Sequence, residues 1–407
     1  MNKTGFWREI QKKPGFWGVL YKPGIRCIKI HVLKPVINWG GVLGCKPFTS
    51  KALKSKLKSI GDLESTPAMN VKTSAKVKTP VKTLGDAASG AIEKYFRKSV
   101  AHEAEVIKDK DAEELHQMRV GLRRLRSAVT GFAPVLDWPK EASERKIGKV
   151  GRILGTLRDL DVMLESLQNR YYPNLPTEEQ EVLDKALSNL LKQRHRALKG
   201  VRAILEHKTY ESLKQSIEDW LEKPKFQAIE HLPIAEVLPD LLLPQVSEFF
   251  LHPAWLLGTE YEDGKVKIAK DLNAEAVEEK LAAEGTILHD LRKQAKRVRY
   301  LMNLFGDFYS ETYEVYVEDV KAIQECLGDI QDSEVLGEFL TDFVNRDLEK
   351  ELPKLAGLLV ENRYAAWQKW QVLQRRYLSS EMRQGFRSAL IHPVVKDAAN
   401  GKLPQES

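Results

Sequence analysis

Two stretches of this chain each place one histidine at the head of a row of basic residues. His116 opens the first stretch and His289 opens the second. The basic residues that follow are Arg119, Arg123, Arg124 and Arg126 in the first stretch, and Arg292, Lys293, Lys296, Arg297 and Arg299 in the second. Guanidinium groups match phosphate oxygens with two hydrogen bonds at once, and lysine adds a point charge. The residue types therefore favour polyanion binding over the alternative, a solvated helix face.

The two stretches are copies of one another at an offset of 173 residues. Further pairs at the same offset are Phe132 with Phe305, Leu154-Gly155 with Leu327-Gly328, and Asp159 with Asp332. One register therefore holds through a helix, a connection and a second helix. This pattern indicates a duplicated helical unit.

Each copy also has an apolar face opposite the basic one, because a helix turns about 100° per residue. The apolar residues are Leu115, Met118, Leu122, Leu125, Val129 and Phe132 in the first copy, and Leu288, Leu291, Ala295, Val298, Met302 and Phe305 in the second. We expect these apolar faces to pack inside the protein. Like charges four residues apart disfavour a bare helix by a few tenths of a kcal/mol, so an external anion is expected to neutralise them.

This double pattern closely resembles the CHAD domain (conserved histidine α-helical domain) family. The resemblance rests on His-x-x-Arg with basic residues at helical spacing, then Leu-Gly-x-x-x-Asp, occurring twice in order across roughly residues 83–393. It implies two four-helix bundles related by a pseudo-two-fold axis, with a basic groove between them that binds inorganic polyphosphate. It also implies association with polyphosphate granules.

Two further pairs of residues are expected to support the basic rows. Asp159 and Asp332 are interpreted as carboxylates that pair with an arginine of the histidine helix and hold its guanidinium in place. Gly155 and Gly328 lie inside predicted helices, where glycine costs about 1 kcal/mol relative to alanine, so we expect a close approach there. Four more cations could widen the basic surface or be solvated, namely Arg194, Arg196, Lys199 and Arg202.

The predicted fold class is all-α, because no strand alternation persists along the chain. The first four-helix half spans residues 83–222 and the second helical half spans 273–395. A connecting segment at 223–272, punctuated by prolines, is expected to be irregular, and a short tail follows at 396–407. The expected helices are Leu84–Lys108, one capped by Asp111 and Glu114 that ends between Phe132 and Asp137, Glu141–Arg170, Thr177–Trp220, Ala274–Phe308, Glu311–Phe343 and Leu352–Ile391.

Residues 1–82 differ from the rest in composition. They hold 17 Lys and Arg against 3 Asp and Glu, whereas the remainder holds 47 against 54. Proline, glycine, serine and threonine interrupt every apolar run, so this segment is expected to be a disordered basic linker without a secretory signal. Met69 is a second candidate for the translation start, and the intact mass of the natively expressed protein decides between them.

Composition further limits the class of protein. Three cysteines, Cys27, Cys45 and Cys326, are too few and too scattered for a disulfide framework or a zinc site, which predicts a cytoplasmic location. No apolar stretch reaches the length of a membrane-spanning helix. No cofactor is expected.

Three alternatives remain open from the residues alone. An enzyme of phosphate metabolism would use His116 or His289 as a general acid or phospho-acceptor, but no phosphate loop or nucleophile with an adjacent base accompanies them. Nucleic acid is a less favoured ligand, because aromatic residues do not alternate with the cations. Metal is disfavoured because neither helix offers a histidine at i+4, and the His289-Asp290 pair is His116-Gln117 in the first copy.

Overall fold

The structure is a computed structural model, and it describes residues 82–268 and 272–394. The described residues belong to one compact unit. The predicted linker, the alternative start at Met69 and the tail at 396–407 lie outside the described residues. Within the described ranges the chain is almost entirely helical, which confirms the all-α class.

Seven helices precede a short hairpin. They are α1 (Leu84–Ala101), α2 (Glu103–Lys108), α3 (Ala112–Gly131), α4 (Glu144–Ser166), α5 (Thr177–Leu205), α6 (Lys208–Glu222) and α7 (Ile234–Phe250). The hairpin pairs β1 (Thr259–Glu262) with β2 (Lys265–Ile268) in antiparallel register. Five helices follow, namely α8 (Ala274–Phe305), α9 (Glu311–Val344), α10 (Leu348–Glu351), α11 (Pro353–Leu378) and α12 (Ser380–Ile391).

Three of the expected long helices are broken into two. The first breaks at His102, the fourth at Glu206–His207 and the last at Ser379. At two of these breaks a side chain caps the next helix, since His207 accepts from the amide of Thr209 and Ser379 from that of Met382. A capping side chain satisfies an orphan backbone donor and so favours a new helix start.

The expectation that residues 223–272 are irregular was wrong. Helix α7 runs through this segment and contains Pro239 and Pro244. Proline in a helix interior removes a backbone hydrogen bond, which is why the sequence favours irregular structure here. The helix forms because one side of it is fully buried, and that side carries Leu238, Leu242, Val246, Phe249 and Phe250.

The two histidine helices, α3 and α8, bury the faces that the sequence predicts. All twelve apolar residues of the two predicted faces are buried. Asp111 caps α3 as expected, accepting a hydrogen bond from the amide of Glu113. The expected capping box is absent, because the Glu114 carboxylate instead lies 2.7 Å from Nδ1 of His102. That contact ties the start of α3 to the break between α1 and α2.

One continuous core connects the two halves of the chain. It includes residues of α1 and α3 together with residues of α8, α9 and α11. Trp367 and Trp370 of α11 are fully buried in it. A second, smaller core joins α4 and α5 to α9 and α11. The halves are therefore packed as parts of one unit.

Helices α3 and α8 touch near their C-terminal ends. The rings of Phe132 and Phe305 meet edge to face, with centroids 5.2 Å apart. These phenylalanines occupy the same place in the two sequence copies. Leu301 also packs close to Gly131 at this crossing.

No helix in the described ranges is long and apolar enough to cross a membrane.

Candidate functional site

Arg119 of α3 is held between an acid and a glycine of α4. Its Nη2 atom lies 3.4 Å from Oδ1 of Asp159. A Cβ added at Gly155 would lie 3.3 Å from the same Nη2 atom, so only glycine leaves the guanidinium its present room. Helix α4 thus provides a carboxylate that orients Arg119 and a glycine, without a side chain, against which the guanidinium packs.

Arg292 of α8 has the same surroundings in the second half. Its Nη2 atom lies 3.2 Å from Oδ1 of Asp332 on α9. A Cβ at Gly328 would lie 3.3 Å from its Nε. The Leu-Gly-x-x-x-Asp pattern is therefore explained by geometry, because the glycine and the aspartate hold the same arginine one helical turn apart.

Tyr300 joins the two histidine helices. The guanidinium carbon of Arg123, on α3, lies 4.3 Å from the centre of the Tyr300 ring on α8. Arg299 lies over the same ring at 5.3 Å. A cation over an aromatic face is attracted by the ring quadrupole, so Tyr300 keeps two like-charged groups near each other. The repeat does not reveal this residue, since Ser127 stands at the equivalent position.

Lys296 completes a group of cations drawn from both helices. The pKa of Lys296 is lowered to about 8, chiefly by burial and also by the positive charges of Arg292, Arg119 and Arg123, while Asp332 opposes the shift. Arg119 and Arg123 belong to α3, and the contact of Arg123 with the Tyr300 ring is what brings the two basic rows together. We call Arg119, Arg123, Arg292, Lys296 and Arg299 the cation cluster.

The cation cluster carries more positive charge than its neighbours neutralise. Only Arg119 and Arg292 of the cluster form ion pairs with carboxylates in the part of the chain that the structure describes. The Nε atoms of Arg123, Arg292 and Arg299 are buried and lack a hydrogen-bond partner among those residues. Unneutralised cations in a partly buried setting repel one another, so an anion bound here would be stabilised.

The histidines border the cluster. Burial lowers the pKa of His116, and the charges of Arg158, Arg123 and Arg119 lower it as well, against the pull of Glu113. Burial likewise lowers the pKa of His289, helped by Lys293 and Arg292 and opposed by Gln331 and Asp290. Both rings are thus favoured in the neutral form near pH 7 until an anion binds.

The remaining predicted residues face other neighbours. Arg124 lies over the ring of Tyr95 on α1, at 5.8 Å. Arg126 forms an ion pair with Glu144 on α4, and its guanidinium packs against Gly148. Lys293 pairs with Asp290 at 2.9 Å, and Arg297 is exposed. These four residues therefore surround the cation cluster without joining it.

Two of the four extra cations on α5 have structural partners. Arg194 donates both Nη groups to Asp109 at 2.7 Å and its Nε to Asp161. Arg202 donates its Nε to the carbonyl of Ile107. Both contacts hold the segment that leads into α3. Arg158 of α4, which neither motif copy marks, is a better candidate for widening the site because it acts on His116.

An acidic cleft of about 920 Å³ lies next to His289, between α8, α9 and α11. Glu278, Glu334 and Glu338 line it, and Glu278 receives the guanidinium of Arg363. The excess of carboxylates in this lining does not suit an anion. No group of three or more potential metal ligands occurs among the residues described.

Each half of the chain thus contains one unit made of an arginine, an aspartate and a glycine. A match to a protein-family model covers both of these arginine–aspartate–glycine units. The family model for the CHAD domain matches residues 90–341. The chain belongs to the CHAD domain family. The match spans both histidine helices and both glycine–aspartate motifs, so the CHAD domain comprises the residues that build the cation cluster.

Solved structures also match this chain. The crystal structure of the CHAD domain from the plant Ricinus communis is 24% identical, with 78% of this chain and 96% of that chain covered and a TM-score of 0.49. PptA from Streptomyces chartreusis is 14% identical, with 72% of this chain and 99% of that chain covered and a TM-score of 0.51. No curated protein is similar enough to count as a match.

Proposed function

We propose that this CHAD protein binds inorganic polyphosphate through the cation cluster, with His116 and His289 at its borders. Polyphosphate binding is known for the CHAD family in general, and membership of that family supports the proposal. The proposal includes a basic groove between α3 and α8, as the family resemblance implies. It also includes association with polyphosphate granules in the cytoplasm.

The observation that carries the proposal is the meeting of cations from both histidine helices at Tyr300. Arg123 of α3 lies 4.3 Å from the centre of this ring and Arg299 of α8 lies 5.3 Å from it, so like charges from the two rows repel each other. Such repulsion lowers the free energy of unfolding. Unfavourable interactions of this kind are found most often at functional sites. A linear polyphosphate supplies closely spaced negative charges that would remove the repulsion along both rows at once.

Nucleic acid fits the cluster less well than polyphosphate. Tyr300 is the aromatic residue that contacts two members of the cluster, and Arg123 and Arg299 already lie over its ring. Base stacking needs free aromatic faces. We expect polyphosphate to displace duplex DNA from the protein near physiological salt. Retention of DNA under those conditions would favour the nucleic-acid alternative.

We further propose that the protein binds polyphosphate without cleaving it. The histidines are held beside cations, and the site has no nucleophile paired with a base in the described ranges. Polyphosphate incubated with the protein and a divalent metal should keep its chain length. Shortening that disappears in His116→Ala would establish the enzyme alternative.

The direct test reverses one arginine in each half. Arg119→Glu with Arg292→Glu should weaken polyphosphate binding by at least about tenfold, since both lose a charge-assisted contact and gain repulsion. The matched control is Lys54→Glu with Lys56→Glu, which changes the net charge by the same amount. Equal losses in the two variants would mean that the attraction is diffuse and that the cluster is not the site. Circular dichroism verifies that each variant is folded.

A further inference from the structure

Helices α4 and α9 follow the two histidine helices at equivalent positions, yet their outer faces carry opposite charge. At the offset of 173 residues, Arg145 corresponds to Glu318, Lys149 to Ala322, Arg152 to Glu325, Thr156 to Asp329 and Arg158 to Gln331. Each of Arg145, Lys149, Arg152, Glu318, Glu325 and Asp329 is exposed. The repeat therefore preserves the arginine–aspartate–glycine units and reverses the charge beside them.

The basic face of α4 adjoins the arginines of α3. Gly148 faces the guanidinium of Arg126, and Gly155 faces that of Arg119. Arg152 lies between these glycines in the chain and within about 60° of both around the helix. Arg145 is only about 20° from Arg152 and two turns away. The cations of α4 thus extend the row of α3 by about 15 Å, measured from Gly155 to Arg145.

The carboxylates on this side of α4 do not cancel the row. Asp159 is paired with Arg119, and Glu144 is paired with Arg126. Arg145, Lys149 and Arg152 form no ion pair with any residue that the structure describes. They remain available to an external anion.

The matching side of α9 is acidic. Lys321 is a cation on this side, and Glu318 pairs with it at 2.8 Å. Glu325 is also close enough to favour the charged form of Lys321. Asp329 continues the negative row, which ends at Asp332, the carboxylate that is paired with Arg292. A polyanion that left the site over α9 would meet these carboxylates and be repelled.

We propose that a long polyphosphate chain leaves the cation cluster in one direction only, along the outer face of α4. This inference rests on the proposed function and specifies the path of the ligand. Short polyphosphate occupies the cluster alone, whereas long polyphosphate gains the additional contacts with Arg145, Lys149 and Arg152. The protein therefore prefers long chains, and the preference comes from its first half.

The test compares tripolyphosphate with long-chain polyphosphate by calorimetry. Arg145→Glu with Arg152→Glu should weaken long-chain binding about tenfold, because two attractive contacts become repulsive. Tripolyphosphate binding should change less than about twofold, since its contacts lie in the cluster. Lys185→Glu with Lys192→Glu, at exposed positions on α5, is the charge-matched control and should leave both affinities near those of wild type.

A mirror variant tests the same idea by gain of binding. Glu318→Arg with Glu325→Arg should strengthen long-chain binding by opening a second path over α9. The one-sided path is overturned if the α4 variant loses no more affinity for long-chain polyphosphate than the α5 control does. It is also overturned if the α4 variant loses as much affinity for tripolyphosphate as for long-chain polyphosphate. If wild-type protein binds neither ligand, the proposed function itself fails, and that outcome is distinguishable from the other two.

Discussion

The guanidinium carbon of Arg123 lies 4.3 Å from the centre of the Tyr300 ring, so an arginine of one histidine helix rests on an aromatic residue of the other. This contact links the two halves at the point where their charges meet. Arg299 lies over the same ring at 5.3 Å. Tyr300 therefore acts as a support for two cations that would otherwise separate.

Replacing Tyr300 should loosen both arginines. Tyr300→Leu is expected to weaken polyphosphate binding about two- to fivefold, because the closer of the two cation–π contacts, that of Arg123, contributes about 0.5–1 kcal/mol at a partly exposed site. Tyr300→Phe keeps the ring and should bind like wild type. Calorimetric titration of the two variants measures the difference. A leucine variant with wild-type affinity would show that the ring does not position the arginines.

The two buried glycines should affect binding and stability in opposite directions. Alanine is favoured over glycine in helices by about 1 kcal/mol, yet a Cβ at Gly155 or Gly328 would lie 3.3 Å from an arginine nitrogen. Gly155→Ala with Gly328→Ala should therefore shift both guanidinium groups and weaken polyphosphate binding, while thermal stability is kept or raised. The matched control is Gly151→Ala, whose Cβ meets no atom within 4 Å. Equal binding in both variants would contradict this account.

Lys296 should destabilise the protein when no anion is bound. Its pKa is about 8 in the folded protein and 10.5 ordinarily, so the unfolded chain binds more protons between these values. The free energy of unfolding therefore increases as pH rises from about 8 toward 10.5, because the destabilisation by Lys296 is gradually lost. Below pH 8 that destabilisation is fully present. Lys296→Met should raise the free energy of unfolding at pH 7 by about 1–2 kcal/mol while weakening polyphosphate binding.

Denaturant unfolding with and without polyphosphate checks the Lys296 prediction. The control is Lys185→Met on the exposed side of α5, which should change neither quantity. A methionine variant at position 296 that is less stable than wild type at pH 7 would show that the ammonium group is already compensated.

The two histidines should make binding stronger in acid. Burial and neighbouring cations hold the pKa values of His116 and His289 below 6.5 in the free protein, and a bound polyanion raises them. Affinity should therefore increase as pH falls below about 6.5 and level off once the free rings are also protonated. His116→Gln with His289→Gln should flatten the affinity profile between pH 5 and pH 7. An unchanged profile in this variant would assign the pH effect to other groups.

Local patterns predict the parts of this structure that depend on local physics. The apolar and basic faces of α3 and α8 follow from helical periodicity alone, and Asp111 caps α3 because capping involves only neighbouring backbone. Glu114 was misassigned because its carboxylate has a partner twelve residues away, at His102. Helix α7 was missed because burial of its apolar side outweighs Pro239 and Pro244.

The site itself depends on contacts that no local pattern contains. The repeat marks Arg119 and Arg292 correctly as members of equivalent units, since each copy carries its own glycine and aspartate. It does not mark Tyr300, because the first copy has Ser127 there. It also gives no sign that Lys296 lies next to α3, because that proximity arises only when the two halves pack together.

The salt dependence of polyphosphate affinity tests the central claim most directly. Each cation that contacts the polyanion releases counterions, so the slope of log affinity against log salt reports their number. Arg123→Gln with Lys296→Gln should weaken binding and reduce the magnitude of that slope by about 1–2, whereas Lys185→Gln with Lys192→Gln should leave both unchanged. A slope and affinity in the first variant equal to those in the second would show that polyphosphate does not bind between the two histidine helices.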